Sequence, residues 1–253
     1  METAYYKEFS KALNREMEWK VYGHSGQPIL FIPCQDGRFF DFENFKMTDV
    51  WAPWIDAGEA MIISIDTLDQ ETWSNAFGDP RWRIERYEAW IRYITDEMVP
   101  FIHELYSEKN GGAECFGVSV FGCSLGATHA ANLFLRRPDL FNGMLALSGI
   151  YTAEYGWGSY MDDLVYLNSP VHYMENLPED HPYVQMYNER RGIICVGQGA
   201  WEQPDTTYQL RDIFWRKGID IWVDVWGYDC CHDWDWWYKQ VTYFVPHLLY
   251  DPV

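Results

Sequence analysis

The sequence predicts an α/β fold: one doubly wound, mostly parallel sheet with helices on both faces, in a single domain spanning residues 1–253. Three observations predict it. The chain has 253 residues, a length that α/β domains often reach as one unit. Short, β-branched apolar runs recur along it without polar alternation, as expected of strands buried on both faces. Segments of helical periodicity separate those runs, which is the signature of βαβ units.

The strand candidates, in order, are Ile29–Cys34, Met61–Ile65, Phe116–Phe121, Met144–Leu147, Ile193–Val196 and Ile221–Val225. Between them, Arg86–Tyr106 carries Ile91, Ile94, Met98, Phe101, Ile102 and Leu105 at helical spacing. Gly126–Arg136 follows a strand directly. Thr206–Lys217 carries Leu210, Ile213 and Phe214, and Gly218 supplies its C-terminal stop. Trp236–Leu249 closes the chain as a helix. Residues 151–191 hold no strong period and read as an excursion of loops and short helices near the sheet edge or the site.

The net charge of -19 argues against nucleic-acid and anionic-membrane partners, which need a basic face. No apolar run is long enough to span a bilayer, and no N-terminal secretion signal is visible. None of the cysteines at 34, 115, 123, 195, 230 and 231 has CxxC spacing, and Cys34, Cys115 and Cys195 lie in apolar runs. Free thiols and a cytoplasmic location are expected. For the neighbours Cys230 and Cys231 two free thiols are preferred, with a vicinal disulfide or metal binding as the alternatives. No metal or organic cofactor is called for, and a homo-oligomer is left open.

Gly122-Cys123-Ser124-Leu125-Gly126 matches G-x-S-x-G between the apolar run FGVSVF and the helix ATHAANLFLRR. That strand–turn–helix setting is the one a nucleophile elbow requires, so Ser124 is the candidate nucleophile. The backbone N–H of Leu125 then faces the same point and is a candidate oxyanion donor. A serine needs a general base within reach. His232, in the loop after the last strand run, is the histidine that can reach over the sheet edge. His129, one turn into the elbow helix, should point away. The acid is expected after Ile193–Val196, where Glu202 and Asp205 both lie. Glu202 is preferred, because Asp205 suits the N-cap of the helix starting near Thr206. Gln35, in the loop after ILFIPC, is the expected second oxyanion donor, with Cys34 to Arg38 as fallback.

These motifs resemble the Putative esterase (esterase D-like) family of the α/β-hydrolase superfamily, which includes S-formylglutathione hydrolases, feruloyl and acetyl xylan esterases, and mycolyltransferases. The resemblance covers nearly the whole chain. It is carried by IDTLDQETW (65–73), the helix at 83–102, FGCSLGATHAANLFLRRPDLFNGMLALSGIY (121–151), NSPVHYMENL (168–177), GQGAWE (197–202) and VWGYDCCHDW (225–234). It implies Ser124 as nucleophile, His232 as base and the acidic residue of GQGAWE as third member. Many relatives place an aspartate nearer the glycine of that last motif.

The expected activity is a serine carboxylesterase acting on a small or carbohydrate-linked ester through an acyl-enzyme. The alternatives are acyl transfer from the same intermediate and a non-catalytic carbohydrate-binding module on the same scaffold. Aromatic residues make up 18% of the chain, and Trp73, Trp157, Trp201, Trp234, Trp236 and Trp237 fall in or beside expected loops. They either pack the core or wall a cleft. Trp201 and Trp234 neighbour the acid and base and are the candidate substrate contacts, with Arg38 the single cation near the expected site.

Overall fold

The computed structural model describes residues 1–252. One eight-stranded sheet runs in the order β1-β2-β4-β3-β5-β6-β7-β8. The strands are β1 (Thr3–Ser10), β2 (Arg15–Tyr22), β3 (Gln27–Ile32), β4 (Ala60–Ile65), β5 (Val118–Cys123), β6 (Phe141–Leu147), β7 (Arg191–Val196) and β8 (Trp222–Val225). From β4 onward across the sheet all pairings are parallel, whereas β1–β2 and β2–β4 are antiparallel. All six expected strands form, with shifted ends. The run at 116–121 moves inward by two residues, because Phe116 lies exposed and Gly117 takes a positive φ of 146°.

The sequence reading missed the first hairpin. Its β2 alternates Met17, Trp19 and Val21 inward with Glu16, Glu18 and Lys20 outward, a half-buried edge pattern rather than an apolar run. Asn14, at φ 52°, makes the left-handed turn between its strands.

The helices are α1 (Asp41–Asn44), α2 (Met47–Asp56), α3 (Pro80–Tyr93), α4 (Val99–Lys109), α5 (Leu125–Arg136), α6 (Glu154–Trp157), α7 (Asp163–Leu167), α8 (Pro170–Glu175), α9 (Pro182–Asn188), α10 (Asp205–Lys217) and α11 (Trp234–Tyr250). The long helix expected at 86–106 is therefore α3 and α4, joined by a π-helical stretch, Ile94–Met98. Pro100 has no amide to donate, and the ladder widens just before it. Asp79 caps α3 by accepting from Trp82 N–H at 2.8 Å, with Pro80 at the first helical position. The excursion at 151–191 holds α6 to α9.

Alternate residues of each central strand feed opposite faces. Leu30 and Ile32 join the core under α3, α4, α5 and α10, whereas Ile29 and Phe31 join the core under α2 and α11. The sheet is thus buried on both sides, which is why its strands read as unbroken apolar runs. Parallel pairing of β3, β5, β6, β7 and β8 brings their carboxyl ends to one edge, where α/β sheets place ligands.

Candidate active site

Ser124 sits between β5 and α5 with φ 57° and ψ -130°, a strained conformation for a residue with a side chain. The turn is possible only because its neighbours lack a Cβ. A Cβ on Gly122 would lie 2.2 Å from the carbonyl oxygen of Gly126, and one on Gly126 would lie 2.3 Å from that of Ile32. Both obstacles are backbone, so α5 would have to lift from β3. Gly126→Ala is expected to destabilise the fold by about 1–3 kcal/mol in urea unfolding, the range of an overpacked core.

The acid and the histidine occupy two loops that are stitched together. Gly199 N–H donates to Cys230 O (2.8 Å), His232 N–H to Ala200 O (3.0 Å) and Gln198 N–H to Gly227 O (3.2 Å). Gly197 allows the approach, since a Cβ there would meet Cys230 O at 2.3 Å. The result is a continuous relay. Ser124 Oγ lies 2.9 Å from His232 Nε2, and His232 Nδ1 lies 3.3 Å from Glu202 Oε2. Only 1% of the Glu202 side chain is exposed. Its other oxygen accepts from the Ser148 hydroxyl (2.7 Å) and Gly197 N–H (3.2 Å). Trp237 Nε1–H donates to the same Ser148 oxygen at 3.0 Å, and the Trp237 ring meets the edge of His232 at 5.0 Å. A buried carboxylate held this way acts as an acceptor, places the imidazole proton on Nδ1 and leaves Nε2 free to accept from Ser124. Asp205 is exposed at the first position of α10, where Pro204 is the N-cap; the N-cap role expected of Asp205 is therefore displaced by one residue.

Leu125 opens α5, so its amide is among the first four without an acceptor in the helix. Gln35 lies across the cleft in the turn after β3. Gly37 N–H closes that turn on Cys34 O at 2.9 Å. In a trans peptide the Gln35 N–H points opposite to the Cys34 carbonyl, so this bond fixes its direction. The Gln35 side chain donates to Ser74 Oγ (2.9 Å) and accepts from Tyr155 O–H (3.2 Å).

A cleft of about 410 Å³, including its open mouth, is lined by Gln35, Ser124, Leu125, Thr128, Ser148, Ile150, Tyr155, Trp201, Gln203 and His232. Both expected oxyanion residues and one expected substrate contact, Trp201, therefore meet at the serine. Trp201 takes φ 67° and remains 87% exposed at the mouth.

Two expected contacts lie elsewhere. Arg38 is drawn off by Asp66 (2.9 Å) and Glu18 (3.0 Å) into a neighbouring acidic groove. Trp234 stacks on Phe45 at 4.4 Å, outside the cleft lining. Trp73, Trp157 and Trp237 are buried in the cores. Ser148 and Tyr155 were not anticipated. Ser148 belongs to LSGIY, the end of the 121–151 segment that carries the resemblance, whereas Tyr155 lies in the aperiodic excursion and gave no signal.

Cys123, beside Ser124, is fully buried, and burial holds its thiol well above its ordinary range. Burial likewise pushes the Cys34 thiol up to about 12. Neither competes with Ser124 as a nucleophile near neutral pH. Among the described residues all six cysteines are unpaired, and no group of three His, Cys, Asp or Glu side chains gathers as a metal site. No helix among them is long and apolar enough to cross a membrane.

A parallel α/β sheet with a serine on a strained elbow and an imidazole and carboxylate behind it has the design of the α/β-hydrolases. The chain belongs to the family described as "Putative esterase", which it matches over residues 10–248, and it is a carboxylic ester hydrolase. Its fold is similar to that of a ferulic acid esterase (TM-score 0.74, 18% identity, 98% of each chain covered). It is also similar to an S-formylglutathione hydrolase from Agrobacterium tumefaciens (TM-score 0.68, 14% identity, 97% of this chain and 92% of that one). A third similar fold is FphF of Staphylococcus aureus, a fluorophosphonate-binding serine hydrolase (TM-score 0.67, 12% identity, 99% of each chain). No curated protein matches the sequence.

Proposed function

We propose that the protein is a serine carboxylesterase that cleaves a small or carbohydrate-linked ester through an acyl-enzyme on Ser124. The observation that carries this reading is the relay from Ser124 Oγ through His232 to Glu202, set beside the free amide of Leu125. Ser124 Oγ attacks the ester carbonyl carbon while its proton passes to His232 Nε2. Glu202 stabilises the imidazolium by accepting from Nδ1–H. The amides of Leu125 and Gln35 hold the tetrahedral oxyanion, each worth roughly 3–4 kcal/mol of barrier. Collapse breaks the ester C–O bond, and His232 returns the proton to the departing alcohol. Water, deprotonated by His232, then cleaves the acyl-enzyme and restores Ser124.

The cleft lining contains no lysine or arginine, which favours uncharged substrates over anionic ones. Trp201 offers a flat ring at the mouth for an aromatic group or a sugar face. Trp201→Ala is expected to raise KM about tenfold, equivalent to ~1.4 kcal/mol, with little change in kcat. A change confined to kcat would remove the ring from substrate binding. The free thiols support a reducing compartment, and we place the protein in the cytoplasm.

The reading is tested by the products formed from short aryl and sugar esters with and without added alcohol. Free acid should dominate in both. Predominant transfer to the alcohol would make the protein an acyltransferase, and no turnover of any ester would overturn the reading.

A further inference from the structure

A second histidine–carboxylate pair lies behind the cleft, and the proposed mechanism gives it no step. His129 is fully buried on α5, one turn beyond Ser124. Its Nδ1 lies 2.8 Å from Tyr87 Oη and its Nε2 lies 3.0 Å from Asp69 Oδ1. The rings of Trp73, Tyr87 and Trp90 enclose it, with centroids at 5.6, 5.3 and 5.2 Å. Nε2–H donates to the Asp69 carboxylate, which can only accept, and Nδ1 shares a hydrogen bond with the Tyr87 hydroxyl.

Asp69 is 2% exposed and divides its two oxygens between two elements. One binds His129 on the nucleophile's helix. The other accepts from Asp36 N–H at 3.1 Å, the peptide immediately after Gln35. Asp36 holds φ 60°, a left-handed conformation that costs energy for a non-glycine residue and persists only when its surroundings enforce it. The segment carrying Asp69 braces the same loop twice more. Ser74 accepts from the Gln35 side chain, and the Thr67 hydroxyl donates to Gly37 O at 3.0 Å.

The two oxyanion donors come from separate elements, α5 and the loop after β3. A hole made this way works only if both amides keep their spacing to a fraction of an ångström. The chain His129–Asp69–Asp36 N–H is a direct polar tie between those elements. We propose that Asp69 and His129 are positioning residues that hold the Gln35 amide in register with the Leu125 amide. This inference rests on the oxyanion role given to those amides above.

The test compares hydrolysis of an aryl ester with that of its thionoester, whose carbonyl sulfur is a poor partner for two N–H donors. Wild-type enzyme should strongly prefer the oxygen ester. Asp69→Ala should lower kcat about 10²-fold with KM within about twofold, and the oxygen-over-sulfur preference should fall in parallel. Asp69→Asn should recover most of both. Its amide oxygen still accepts from Asp36, and its NH₂ faces His129 Nε2 once the ring proton moves to Nδ1. His129→Leu, which keeps the core filled, should show the same fall in preference. Circular dichroism reports the fold of each variant. Folded variants with wild-type kcat, or with lowered kcat and an unchanged preference, would overturn the inference. Failure of both Asp69→Ala and His129→Leu to fold would also overturn it, by making the pair a core element. Wild-type turnover of the oxygen ester is read alongside: its absence would remove the esterase reading itself, whereas insensitive variants remove only the positioning role.

Discussion

Ser124→Ala is expected to lower kcat for ester hydrolysis by about 10⁴–10⁶-fold while leaving the melting temperature within a degree or two. The two effects separate because the hydroxyl reaches His232 at 2.9 Å and has no other side-chain partner. The positive φ at this position penalises serine and alanine alike, since both carry an unbranched Cβ, so alanine adds no strain. The amides of Leu125 and Gln35, the proposed oxyanion donors, survive the substitution, and whatever activity remains should come from them. His232→Ala should fall into the same range, and the double variant should be no slower than either single one. A nucleophile and its base act as one unit, so their losses do not add. A multiplicative loss would mean that the two residues work independently. Measurement of kcat on one aryl ester for all three variants decides between these results.

Glu202→Gln is expected to cost about 10⁴ in kcat, and Asp205→Asn should stay within about twofold of wild type. The Glu202 carboxylate is buried, with Ser148 O–H and Gly197 N–H donating to one oxygen and the other facing His232. An amide in the same space has one acceptor where three donors converge. If its NH₂ faces His232, the imidazole must carry its proton on Nε2, the wrong side for a base. If its oxygen faces His232, the NH₂ confronts Gly197 N–H and the Ser148 hydroxyl, and the buried mismatch costs ~1–3 kcal/mol. Asp205 is exposed at the first turn of α10, where a carboxylate only complements the helix dipole. The opposite ranking of the two variants in a steady-state assay would transfer the acid's role to Asp205.

Most of the sheet and the relay were legible because local chemistry dictates them. Strands buried on both faces must be apolar throughout, and β3 to β7 announced themselves that way, while the half-exposed edge strand β8 keeps a short apolar run. The elbow needs glycine at 122 and 126 because backbone fills the space a Cβ would take. Glu202 and His232 follow β7 and β8, so chain order alone put them at the right edge of the sheet. What escaped depends on tertiary placement. The β1–β2 hairpin buries one face, and its alternating charges hid it. Arg38 looked free until Asp66, just past β4, and Glu18, in β2, came to it. The tryptophans flanking Glu202 and His232 were indistinguishable by position, yet Trp234 stacks on Phe45, distant in sequence, while Trp201 lines the cleft mouth.

The most direct test is covalent. Wild-type protein incubated with a fluorophosphonate should gain a single adduct, located on the peptide carrying Ser124. The adduct should be absent in Ser124→Ala and form far more slowly in His232→Ala. Labelling of a different residue, or ester hydrolysis that proceeds undiminished without any label on Ser124, would contradict the assignment of Ser124 as nucleophile.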